Sequence, residues 1–167
     1  MAAFIELDWT QFDVRALVEY HGLVNFDKSA LSSCVAWLFE HDYEVHRLEC
    51  GLGFDVLLDQ WNKLFRWEEQ FGYALSSDRC GLDAVRDGFE VLSSNGRSVL
   101  ILDDSEVLWS ERPSWLLGVL AIAQEYSLCE LALGRRFICI ISLPAGSNLV
   151  GQVIEHRGKL LRIPYNV

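Results

Sequence analysis

The chain has 167 residues, 51% of them apolar and 12% aromatic, with six Trp, nine Phe and five Tyr, enough apolar area for one domain with its own core and too much for a mainly disordered chain. With 24 acids against 14 bases and a net charge of −10, it is a poor electrostatic match for a polyphosphate, so the expected partner is a basic protein and not nucleic acid. The cysteines at 34, 50, 80, 129 and 139 include no CxxC pair, which excludes zinc-ribbon and thioredoxin-type sites, and as reduced thiols they point to the cytoplasm.

The N-terminus lacks a basic leader and carries Glu6 and Asp8 early, unlike a secretory signal. Residues 4–9 read as a short strand, and two helical stretches follow at about 11–21 and 28–41. In the second, Leu31, Cys34, Val35, Leu38 and Phe39 recur at three-four spacing as one buried face. Asp27 or Ser29 is placed to cap its start. Tyr43 to Cys50 alternates imperfectly and reads as a strand ending at Gly51. Gly53 to Gln70 reads as one long amphipathic helix, with Phe54, Leu57, Leu58, Trp61, Leu64 and Phe65 forming its apolar stripe.

Phe71-Gly72-Tyr73 ends that helix, residues 73–81 form a loop, and a second helix runs from about Leu82 to Leu92. Ser98 to Leu102 is a continuous apolar run, the pattern of a parallel strand covered on both faces. Asp103-Asp104 reads as a loop and cap before the next helix, Pro113 to Tyr126, which is apolar nearly all round. Its uninterrupted part, Pro113 to Gln124, has 12 residues, too few to span a bilayer. Phe137 to Leu143 is another apolar strand, and 149–163 reads as a hairpin turning near His156-Arg157-Gly158. The alternation of strands and helices implies an α/β layer with a small parallel sheet.

The helix from Leu82 holds the most informative pattern. Leu82, Val85, Phe89 and Leu92 share one side; Asp83, Asp87 and Glu90 share the other, at i, i+4 and i+7. Acids stacked in this way repel one another by a few tenths of a kcal/mol per pair, partly offset by Arg86 beside them. The simplest account is a solvated face; the sharper one is an acidic ridge that meets a cationic partner.

The segment Gly81-Leu82-Asp83-Ala84-Val85-Arg86-Asp87 resembles the Asn-Leu-Asp-Ala-Leu-Trp-Asp motif of the barstar family, intracellular inhibitors of the ribonuclease barnase. The order of elements over residues 43–143 also follows that family, down to Leu100-Ile101-Leu102-Asp103 and the last strand Phe137-Ile138-Cys139-Ile140-Ile141. The resemblance implies a barstar-like core at 43–143, with an N-terminal extension at 1–42 and a C-terminal hairpin extension at 144–167. It implies that the protein is not an enzyme and needs no cofactor or metal. Its function would be to bind a basic nuclease or toxin as an inhibitor or immunity protein, without touching nucleic acid or membrane. The resemblance implies Tyr73, Asp83, Asp87 and Glu125 as partner-binding residues, and Arg86 and Glu90 join them as neighbours on the same helix. Arg86 stands where the family has tryptophan and Gly81 where it has asparagine.

Two other readings compete with that one. Asp103-Asp104 closes a parallel strand, where α/β enzymes place metal-binding acids, and with Asp83 or Asp87 it would suit Mg²⁺-dependent phosphoryl transfer. Alternatively, the fold serves as an interaction module with a non-nuclease partner. His41 and His46 would need to converge to bind a metal, and Trp61 and Trp67 without a basic groove read as packing residues.

Overall fold

The computed structural model describes residues 11–89, 92, 96–156 and 159–162, with side chains as far as Gln152. Four parallel strands form one sheet: β1 (Leu23–Phe26), β2 (Glu44–Glu49), β3 (Arg97–Asp103) and β4 (Arg136–Ser142), in the order β1-β4-β3-β2. The register sets Val99 opposite Ile138, Leu100 opposite Cys139, and Leu23 opposite Cys139 on the other side. The two central strands have the continuous apolar runs, because successive side chains point to opposite faces and both faces are covered.

One face, made by Val24, Phe26, Val99, Ile101, Ile138 and Ile140, packs on α1 (Phe12–Glu19) and α2 (Lys28–Glu40). The other, made by Leu100, Leu102, Phe137, Cys139 and Ile141, packs on the helices that follow β2 and β3. These are α3 (Phe54–Leu64), α4 (Trp67–Phe71), α5 (Leu82–Phe89), α6 (Ser105–Glu111) and α7 (Pro113–Ala132). Two C-terminal strands, β5 (Val153–His156) and β6 (Lys159–Arg162), pair antiparallel as a separate hairpin, as the sequence suggests.

The fold is α/β, as expected. The expected strand at 4–9 lies outside the described residues. The helix expected at 11–21 is shorter, and β1 follows it unforeseen, four residues buried throughout against β4. Asp27 caps α2, its carboxylate accepting from the backbone N–H of Ser29 and Ala30 at 2.9 Å each. On α2, Leu31, Cys34 and Leu38 are buried, whereas Phe39 is exposed; the contact with the sheet is narrower than the sequence stripe.

The single helix expected over 53–70 is two. Arg66 adopts the left-handed conformation, φ 47°, and separates α3 from α4. Phe65 and Trp67 are both fully buried, yet residues two apart on one helix point about 200° away from each other. Breaking the helix between them lets both rings enter the same core, 6.3 Å apart edge to face. After β3, the expected loop holds a helix of its own, α6. The last long helix runs past Tyr126 to Ala132, held by the Ser127 hydroxyl donating to the Phe137 carbonyl at 2.8 Å. At that length Pro113–Ala132 would be long and apolar enough to cross a membrane, but half of its most apolar stretch is buried inside the fold.

Candidate functional site

Helix α5 is amphipathic in the sense expected. Val85, Gly88 and Phe89 are buried, while Asp83 and Asp87 are exposed. Its apolar side is set by close contacts. A Cβ on Gly88 would stand 2.8 Å from Trp67 Cζ3, 3.4 Å from Trp61 Nε1 and 3.5 Å from Phe65 Cγ, so only glycine lets the helix backbone lie this close to the aromatic cluster. At its start Leu82 covers Gly118 of α7, where a Cβ would meet Leu82 Cδ1 at 2.4 Å. The ridge is therefore a fixed face of the core.

The loop before α5 is pinned at both ends. The Leu75 N–H donates to Asn62 Oδ1 at 2.7 Å and Asn62 Nδ2 donates to the Leu75 carbonyl at 2.9 Å. Further on, Trp115 Nε1 of α7 donates to the Cys80 carbonyl at 2.9 Å. Tyr73, half-buried, stands edge to face with Trp67 at 6.3 Å, and Trp67 is the ring that Gly88 abuts. Tyr73 and α5 thus share one support.

Arg86 and Glu125 come together. Arg86 Nη2 donates to Glu125 Oε2 at 3.3 Å, and Nη1 lies 3.9 Å from Asp83 Oδ1. Both members of the Arg86–Glu125 pair are partly shielded, whereas the Asp83 side chain is fully exposed. The pair spans α5 and α7 and largely satisfies both charges internally. Asp83 and Asp87 remain as the acids turned to solvent. Glu90 lies outside the described residues.

Beside the pair is a cleft of about 250 Å³ lined by Arg86 and Phe89 of α5 and by Ile122, Glu125, Tyr126 and Cys129 of α7. The α7 residues sit at i, i+3, i+4 and i+7, one helical stripe. Glu125 is a contact residue implied by the resemblance; the cleft beside it needs α5 as its second wall, which no local pattern supplies.

The competing Asp103-Asp104 constellation is engaged by cations. Asp103 has no exposed side-chain surface and accepts from Arg47 and from the Ser142 hydroxyl. Burial pushes its carboxyl up, but the Ser142 hydroxyl and the Arg47 guanidinium together hold it below the ordinary value. Asp104 is bonded to Lys28 Nζ at 3.3 Å. Among the described residues no three His, Cys, Asp or Glu converge as metal ligands. His41 stacks on Trp37 at 3.8 Å, with Nδ1 2.8 Å from the Trp37 carbonyl. His46 lies 3.5 Å from Glu44. Trp61 and Trp67 are fully buried, which ends any base-stacking role. The five cysteines are free thiols, and burial pushes those of Cys34 and Cys50 up to about 12.

No family model matches the chain, and no curated protein matches it.

Proposed function

We propose that this protein is a barstar-like inhibitor of a ribonuclease or related cationic toxin, acting in the cytoplasm without catalysis or cofactor. One observation carries the reading: Asp83 and Asp87 stand exposed on a helix whose other face is locked into an aromatic core. Carboxylates held in fixed positions can take the place of RNA phosphates on active-site arginines through short charge-assisted bonds. Because α5 is packed closely on Trp67 through Gly88 and on Gly118 through Leu82, little backbone entropy is lost when they do. The net charge of −10 speeds encounter with a basic enzyme over distances of a Debye length. Tyr73, propped on Trp67, the ring that Gly88 of α5 abuts, supplies an aromatic side chain, and rings of this kind are common anchors at interface centres. The pinned loop and α5 together cover the nuclease site and exclude RNA. Arg86 and Glu125 hold α5 to α7 and flank the contact.

The test is to express the products of the neighbouring genes, assay any that cleave RNA with and without this protein, and follow binding by calorimetry. Stoichiometric inhibition is expected. Asp87→Ala should weaken binding by about 2 kcal/mol or more, as for a contact at the centre of an interface. Glu40→Ala, an exposed acid on α2 across the sheet, should leave affinity where it was. Equal losses from the two changes, or uninhibited cleavage at excess protein, would refute the assignment.

A further inference from the structure

We infer that the cleft between α5 and α7 receives a neutral aromatic side chain carried by the cationic partner, next to that partner's basic cluster. This rests on the inhibitor reading for the partner's charge but on the cleft itself for the occupant. At about 250 Å³ the space is below the usual range of small-molecule sites, roughly 300–1,000 Å³, and suits one side chain. Phe89 and Ile122, both almost without solvent contact, make an apolar floor. Tyr126 is half-buried on one wall, its ring 5.6 Å from Phe89 and 4.9 Å from Phe137. Cys129 is exposed at the end of the same stripe.

The rim decides the charge of the guest. Asp83 and Asp87 stand outside the lining of the cleft, whose two charged residues are Arg86, which disfavours a second cation there, and Glu125, which disfavours an anion. Their mutual pairing at 3.3 Å leaves the rim close to neutral, so an uncharged guest meets no electrostatic penalty. Among uncharged guests, an aromatic ring gains twice: it packs edge to face on Tyr126, and it offers a face to the Arg86 guanidinium. The acids exposed on α5 make the carrier of that ring a basic surface. The two faces of α5 thus have separate tasks, charge attraction on the outer one and shape recognition on the one toward α7.

The experiment is a titration of the isotope-labelled full chain with N-acetyl-L-tyrosinamide, followed by amide chemical shifts. Saturable shifts are expected at Ile122, Tyr126 and Cys129, in the millimolar range normal for one side chain. N-acetyl-L-argininamide and N-acetyl-L-glutamine amide should leave those signals in place. Cys129→Trp, a change at an exposed position, should fill the cleft and weaken the tyrosinamide by about tenfold or more. Absent or unsaturable shifts, equal shifts from the argininamide, or an unaffected Cys129→Trp protein would each overturn the inference. The titration contains no nuclease, so its outcome is independent of the inhibition assay. If inhibition is observed and Cys129→Trp inhibits as tightly as the parent, the partner does not use the cleft and the inference fails while the inhibitor reading stands.

Discussion

Asp13 is 1% exposed and accepts from Tyr43 Oη and Arg136 Nη1, each at 2.6 Å. Those three residues come from α1, the approach to β2, and β4, so one carboxylate joins the N-terminal helix to the sheet. Burial, and then the bond to Asp13, push the Tyr43 phenol far up. Asp13→Ala would take the acceptor from the buried Tyr43 hydroxyl and break the bond to the part-buried Arg136, and the expected loss is about 1–3 kcal/mol in chemical denaturation. Asp103 gives a pH-dependent counterpart. Its folded value lies below its unfolded one, so its stabilisation is complete above about pH 4 and is lost as the pH falls through the folded value. Asp103→Asn should flatten the dependence of unfolding free energy on pH in that acid range. His46 behaves in the same direction at higher pH. Burial holds it below 6.5 against the pull of Glu44, so as the pH drops through 6.5 the unfolded chain binds the proton first. Stability should decline there, and the ring protons of His46 should titrate late when followed by NMR.

At the scale of elements, the positioning of the ridge depends on how α5 meets α3 and α4. Gly88→Ala would gain at most about 1 kcal/mol of helix propensity. It would also drive a methyl into Trp67 and its neighbours, an overpacking cost of roughly 1–3 kcal/mol. The expected result is a lower melting temperature together with weaker nuclease binding, because α5 must shift outward to relieve the contact. The acid face of α5 was legible from spacing alone, since Asp83 and Asp87 need only the helical period. The break between α3 and α4 was not foreseen: Trp67 falls off the stripe that runs from Phe54 to Phe65, but no Gly or Pro between 54 and 71 marks a break. The left-handed Arg66 is imposed by a core that takes in both Phe65 and Trp67. Nor was the Arg86–Glu125 pair legible, since its members are 39 positions apart in the chain.

At the scale of the whole molecule, the sheet collects its strands from distant parts of the chain. Edge strand β1 and edge strand β2 are joined by α2, which carries the chain from one side of the sheet to the other. The acidic excess predicts a kinetic signature of the proposed complex. Its association rate should fall as salt rises, because the long-range attraction is screened within about 10 Å at 0.1 M. Stopped-flow mixing with the target would show it, and an unchanged rate would mean that apolar contact dominates the encounter. Amino-acid order alone determined the class of fold, the two central strands and the acidic helix, because each follows from a local period of apolar and charged residues. Tertiary structure decided where β1 inserts, which acids stay free and where a cleft opens. Those outcomes depend on contacts between segments far apart in the chain, and a local period has no information about what will stand opposite it.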